Sequence, residues 1–184
     1  MPDATDFRLA RDLELPAFAH VDNDWFGRAV EGLETEGPLG PWITYIHCLG
    51  LDTSTWHTIA RTGGKVSISC LIEQTLGMGR PAIQAAIDHA VATGPSADAV
   101  SLGAVDLFSQ MRTAFALQRG SLHQAEASAP VSAREILRMA TLGGVEAAHV
   151  DDMVGSLTPG RKAGVVVLNG RTLNVGPECA SFTP

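Results

Sequence analysis

Apolar and polar positions alternate along the chain in blocks that switch between the period of a strand and the period of a helix. Phe7–Leu13 has a helical pattern, and Leu15–His20 reads as a short buried strand. A helix is expected from about Asp24 to Glu36, where Gly37-Pro38-Leu39-Gly40-Pro41 breaks it. Trp42–Cys48 is the best strand, rich in β-branched and aromatic residues and bounded by turn residues. Asp52 or Thr53 can cap a helix running through Arg61, with Gly63-Gly64 at its end. Val66–Cys70 reads as a third strand and Pro81–His89 as the next helix. A fourth strand is due within residues 91–98, where large apolar residues are few. Asp106–Arg119 is helical, with Val105, Phe108, Met111 and Phe115 along one face. Ser132-Ala133-Arg134-Glu135 is a capping box opening a helix to about Thr141. Gly155–Gly160 is turn-rich, Val165–Leu168 reads as a last strand, and the remaining tail has no pattern.

Strands separated by helices predict a parallel sheet, and right-handed crossovers bring every C-terminal strand end to one side. Three polar residues fall at or near those ends. His20 closes the first strand, His47 the second, and Asp98 the fourth. Ligands bind at strand C-termini in parallel α/β folds. Imidazole and carboxylate groups both suit a divalent metal.

Composition narrows the functions open to such a sheet. The chain has 184 residues, 45% of them hydrophobic, which suffices for a sizeable core. Its net charge of −7 and scattered basic residues argue against nucleic-acid binding. It has no apolar run long enough for a membrane span, and its acidic start does not resemble a signal peptide. Cys48, Cys70 and Cys179 are too widely spaced for a disulfide framework or a paired-cysteine metal site. A cytoplasmic protein with reduced core thiols at Cys48 and Cys70 is expected.

Several motifs occur in a telling order. They are Ala19-His20-Val21, Tyr45-Ile46-His47-Cys48, Ser96-Ala97-Asp98, and Ile136–Thr141 followed by Gly143. The last is Gly155-Ser156-Leu157-Thr158-Pro159-Gly160-Arg161-Lys162-Ala163, leading into Val165–Leu168. From about residue 7 to residue 175 the chain resembles the second half of amidohydrolase barrels, nearest the cytosine deaminase and triazine hydrolase branch. The resemblance implies the C-terminal half of a (β/α)8 TIM-like barrel. About four βα units would fill residues 1–150. The start of the closing β-sandwich would fill 151–175, and a tail 176–184. It implies His20 as a metal ligand and His47 as a ligand or an orienter of substrate and attacking water. Asp98 would be a metal ligand that also accepts the proton of that water. The cofactor would be a divalent metal, zinc first and iron or manganese next, and the substrate a small molecule with a non-peptide C–N bond.

The sequence also departs from that pattern. It contains no His-x-His pair, which the first strand of such barrels supplies. A whole barrel takes about 250 residues, so half of it is missing here. Where deaminases of this branch carry His-x-x-Glu, the fourth residue is Asn23, which cannot shuttle a proton. This counts against deamination more than against hydrolysis in general. Asn23 and Glu73 remain candidate substrate contacts at the barrel mouth, a solvated loop being the other reading of Glu73. His57, His89, His123 and His149 are assigned to surface or packing roles. An open half-barrel exposes two sheet edges, so the expected partners are a second copy of the chain or a separate N-terminal half. The alternative function is a catalytically inactive α/β binding or assembly protein of the same descent. A flavodoxin-like domain finds no glycine-rich loop to support it.

Overall fold

The computed structural model describes residues 4–22, 27–35, 37–123 and 130–169. Four parallel strands form one sheet in the order β1-β2-β3-β4. They are β1 (Ala17–Asp22), β2 (Ile43–Leu49), β3 (Lys65–Ile68) and β4 (Thr93–Pro95). The helices are α1 (Ala4–Asp12), α2 (Gly27–Thr35), α3 (Thr53–Thr62), α4 (Cys70–Thr75), α5 (Ile83–Asp88), α6 (Leu107–His123), α7 (Ala133–Arg138) and α8 (Gly144–Ala147). A π turn, Met139–Gly143, joins the last two. The alternation expected from the sequence is therefore present, and its strands pair in chain order. No described helix is long and apolar enough to cross a membrane.

Neighbouring residues in a parallel ladder point to the same face. Ala19, Tyr45, Val66 and Thr93 lie side by side and are buried. Ile43, Ile59, Ile68 and Ile83 extend this core. The opposite face carries the row His20, Ile46, Ser67 and Gly94, and beneath it Phe18, Thr44 and Lys65. At β1 this face is open, with both His20 and Phe18 exposed. At β4 it is covered. A Cβ on Gly94 would sit 2.5 Å from Gly144 Cα, and one on Gly143 would sit 2.2 Å from the Thr93 carbonyl oxygen. Only glycine allows this approach of the π turn and the start of α8 to the strand.

Local chemistry explains several boundaries. Asp52 caps α3 by accepting from Thr55 N–H at 2.8 Å, and Gly63 closes it in the left-handed region at φ 75°. Ser132 and Glu135 form the expected capping box of α7. Pro95, which has no N–H to give a further ladder, lies in the outer strand β4.

Other expectations need correction. The third strand stops at Ile68, and Cys70 opens the unforeseen helix α4. The first strand begins at Ala17 and runs to Asp22, so His20 lies inside it and does not close it. Val165–Leu168 forms no strand. Its side chains are 51–88% exposed and no described strand runs beside it. An apolar run becomes a strand only when its backbone groups find a ladder partner. The start of a sandwich is therefore not seen among the described residues, and the tail from residue 170 lies outside them. Of the apolar face expected for α6, Met111 and Phe115 pack against the core, whereas Phe108 on the helix and Val105 just before it are exposed. The buried face is Gln110, Ala114, Gln118 and Ser121. Gln110 is fixed by donating to the Ala104 carbonyl, and Gln118 by donating to Gln84.

Candidate functional site

The residues singled out at the strand ends come together. His47 lies near the C-terminal end of β2, 4% exposed. The pairing of β1 with β2 shifts there: Val21 faces His47 and Asp22 faces Leu49, leaving Cys48 unmatched. His47 and Cys48 both hold left-handed backbone, at φ 70° and 56°. This bulge re-aims the His47 side chain, which strict alternation would put beside buried Val21. The His47 ring lies 5.3 Å from the His20 ring, centroid to centroid. Its Nε2 lies 3.9 Å from Asp98 Oδ2. Asp98 sits three residues beyond β4, also in the left-handed region at φ 54°, and its side chain is one-third exposed. Non-glycine residues seldom adopt this backbone, and Asp and His do so more readily than most. Two of the three expected site residues thus share an uncommon local conformation.

Glu73 departs from both readings made of it. It is neither at an open mouth nor solvated: it is 0% exposed on α4. Its Oε1 lies 2.9 Å from His47 Nδ1 and accepts the Ser69 N–H at 2.8 Å. Its Oε2 and the Ser69 hydroxyl are buried without a hydrogen-bond partner among the described residues. Sequence patterning missed this pair because α4 itself was missed. A carboxylate in the first turn of a helix that starts directly after a strand would have been the signal. Asn23 lies outside the described residues.

Two thiols flank the buried carboxyl group. Burial pushes the Cys48 thiol well up, with the nearby Glu73 adding to the shift. Burial, again reinforced by Glu73, raises Cys70 to about 12. Both are free and buried, as expected of reduced core cysteines, and neither is a nucleophile at neutral pH.

The remaining described histidines lie elsewhere. His57 and His89 meet on α3 and just after α5, with His89 stacked on Trp56. His149 follows α8 and approaches Thr44 Oγ1 at 3.0 Å on the sheet face opposite the core. Both arrangements are packing roles.

These features define a class: a parallel α/β fold that brings two histidines, within β1 and β2, and a carboxylate just beyond β4 near one another. The model of the amidohydrolase family matches residues 29–182, and the chain belongs to that family. It is 28% identical over 155 residues to a 5'-deoxyadenosine deaminase of Methanobrevibacter smithii, covering 84% of this chain and 35% of that protein. It is 25% identical to an S-triazine hydrolase of Gordonia rubripertincta, over 81% of this chain and 31% of that one. A zinc-bound adenosine deaminase from Xanthomonas campestris superposes with a TM-score of 0.85 at 23% identity. That match covers 97% of this chain and 44% of the other. The fold is therefore that of part of an amidohydrolase barrel. The chain spans about a third of the length of the curated relatives it matches.

Proposed function

We propose that this chain forms the His20–His47–Asp98 portion of a metal-dependent hydrolase acting on non-peptide C–N bonds of small molecules. The observation that carries the reading is the convergence of those three side chains at the C-terminal side of one parallel sheet. The relatives named above, two deaminases and a triazine hydrolase, support the reaction class. Generic hydrolysis is favoured over deamination because Asn23 stands where the branch's proton-shuttling glutamate would be.

The donor chemistry fits a divalent metal, zinc first and iron or manganese next, since imidazole and carboxylate groups suit all three. Among the described residues no three His, Cys, Asp or Glu side chains are grouped closely enough to hold an ion by themselves. A catalytic zinc usually takes three protein ligands; His20, His47 and Asp98 do not close into such a group alone, so donors from a second copy or from an N-terminal half-barrel would complete the site. When bound, the metal supplies Lewis-acid activation of water and substrate. His20 and His47 would bind it through imidazole nitrogens. Asp98, one-third exposed at the rim, would bind beside them and take the proton released by the attacking water.

Metal analysis of chain purified without chelators or a metal-binding tag tests this directly. About one equivalent of zinc, iron or manganese per site, lost in His20→Ala, is the expected result. The absence of metal after reconstitution, in the chain alone and in any assembly it forms, would favour the reading of an inactive binding protein of the same descent.

A further inference from the structure

We propose that Glu73 is the positioning residue of this site, locking the His47 ring in the Nδ1–H tautomer so that the Nε2 lone pair faces Asp98. The inference rests on the reading of His47 as a ligand, and adds a residue that no strand-end pattern contains.

His47 has two ring nitrogens, and among the described residues only one has a partner at hydrogen-bond distance. Nδ1 meets Glu73 Oε1 at 2.9 Å, whereas Nε2 stands 3.9 Å from Asp98 Oδ2, beyond hydrogen-bond reach. Asp98 therefore does not set the ring's orientation. Oε1 is itself pinned. It accepts the Ser69 N–H at 2.8 Å, while Glu73 N–H donates to the Ser69 carbonyl at 2.9 Å, closing a reciprocal turn at the start of α4. An oxygen already accepting one N–H has a second lone pair for another. It thus receives a proton from Nδ1, and Nε2 keeps its lone pair.

Burial makes the arrangement stringent. Glu73 is 0% exposed and His47 is 4% exposed, so water cannot substitute for either partner. The hydrogen bond on one ring nitrogen decides what the other presents. The geometry also joins elements far apart in sequence: β2 supplies the ring, and the start of α4, directly after β3, supplies its anchor.

A role confined to capping α4 is the competing explanation, and the tautomer separates the two. Long-range nitrogen–proton NMR on metal-free, 15N-labelled full chain, at a pH where imidazole is neutral, reads it directly. Wild type is expected to show His47 protonated at Nδ1. Glu73→Ala should shift the population toward Nε2–H, while Glu73→Gln, whose carbonyl can still accept, should keep Nδ1–H. Zinc titration should show binding weakened by about 10–100-fold in Glu73→Ala and less in Glu73→Gln. Nε2–H in wild type overturns the proposal, and needs no variant to fold. So does a folded Glu73→Ala whose tautomer is unchanged. If zinc binds none of the proteins while the tautomers behave as stated, the hydrolase reading falls and the Glu73–His47 relation stands.

Discussion

His149 shows how a single residue ties stability to pH. Its Nε2 lies 3.0 Å from Thr44 Oγ1, and that hydroxyl donates to the Ala147 carbonyl, so it accepts from the ring. Burial lowers the affinity of His149 for a proton, Lys65 lowers it further, and Asp151 opposes them. The folded chain therefore favours the neutral ring. The linked stability is fully present above the ordinary imidazole value of about 6.5, and is lost as pH falls below it through the depressed folded value. The melting temperature of wild type should drop over that window. His149→Asn, which tolerates the φ of 57° at this position, should flatten that part of the profile. Superimposable pH profiles for the two proteins would refute this.

Among the elements, the contact of β4 with the π turn is the most sensitive. In Gly94→Ala the new methyl would meet backbone at Gly144, which cannot rotate aside as a side chain can. Overpacking of this kind costs about 1–3 kcal/mol. Urea unfolding should show a loss of that size with an unchanged slope, and a variant as stable as wild type would mean the start of α8 moves freely. The elements also show which signals a sequence carries. The caps of α3 and α7 were legible because Asp52, Gly63 and Ser132–Glu135 act within a few residues of one another. α4 was not, because Val66–Ile72 is nearly continuous in apolar and small residues and fits either period. The face of α6 was only half legible: Met111 and Phe115 do pack against the core, but two of its four buried residues are glutamines satisfied by hydrogen bonds, which an apolar pattern cannot register. His20, His47 and Asp98 were singled out from expected strand ends, although His20 lies inside β1. The bulge that turns His47, and the Glu73 behind it, depend on pairing between strands and are invisible in one strand's text.

For the whole molecule, the decisive fact is an open sheet. Among the described residues, β4 is packed against the π turn and α8, whereas β1 ends the sheet with Phe18 52% exposed and Leu13 and Leu15 exposed as well. Val165–Leu168 adds a second exposed apolar run. Unpaired edges and apolar patches of this kind are normally covered. The chain is expected to self-associate, and light scattering after size exclusion should give a mass above that of one chain. A stable monomer with a cooperative melt would count against it, and would direct attention to a separate N-terminal half as the covering partner.

The left-handed backbone at His47, Cys48 and Asp98 has a consequence for how this lineage can change. Conformations of that kind disfavour side chains by about 1–2 kcal/mol per residue, and β-branched ones most of all. If selection for chemistry were relaxed, His47 and Asp98 would not drift evenly through the amino acids. Valine, isoleucine and threonine would be screened out by the fold, while asparagine and glycine would pass. A retired descendant would then still bear the outline of its old site, written in the residues its backbone permits.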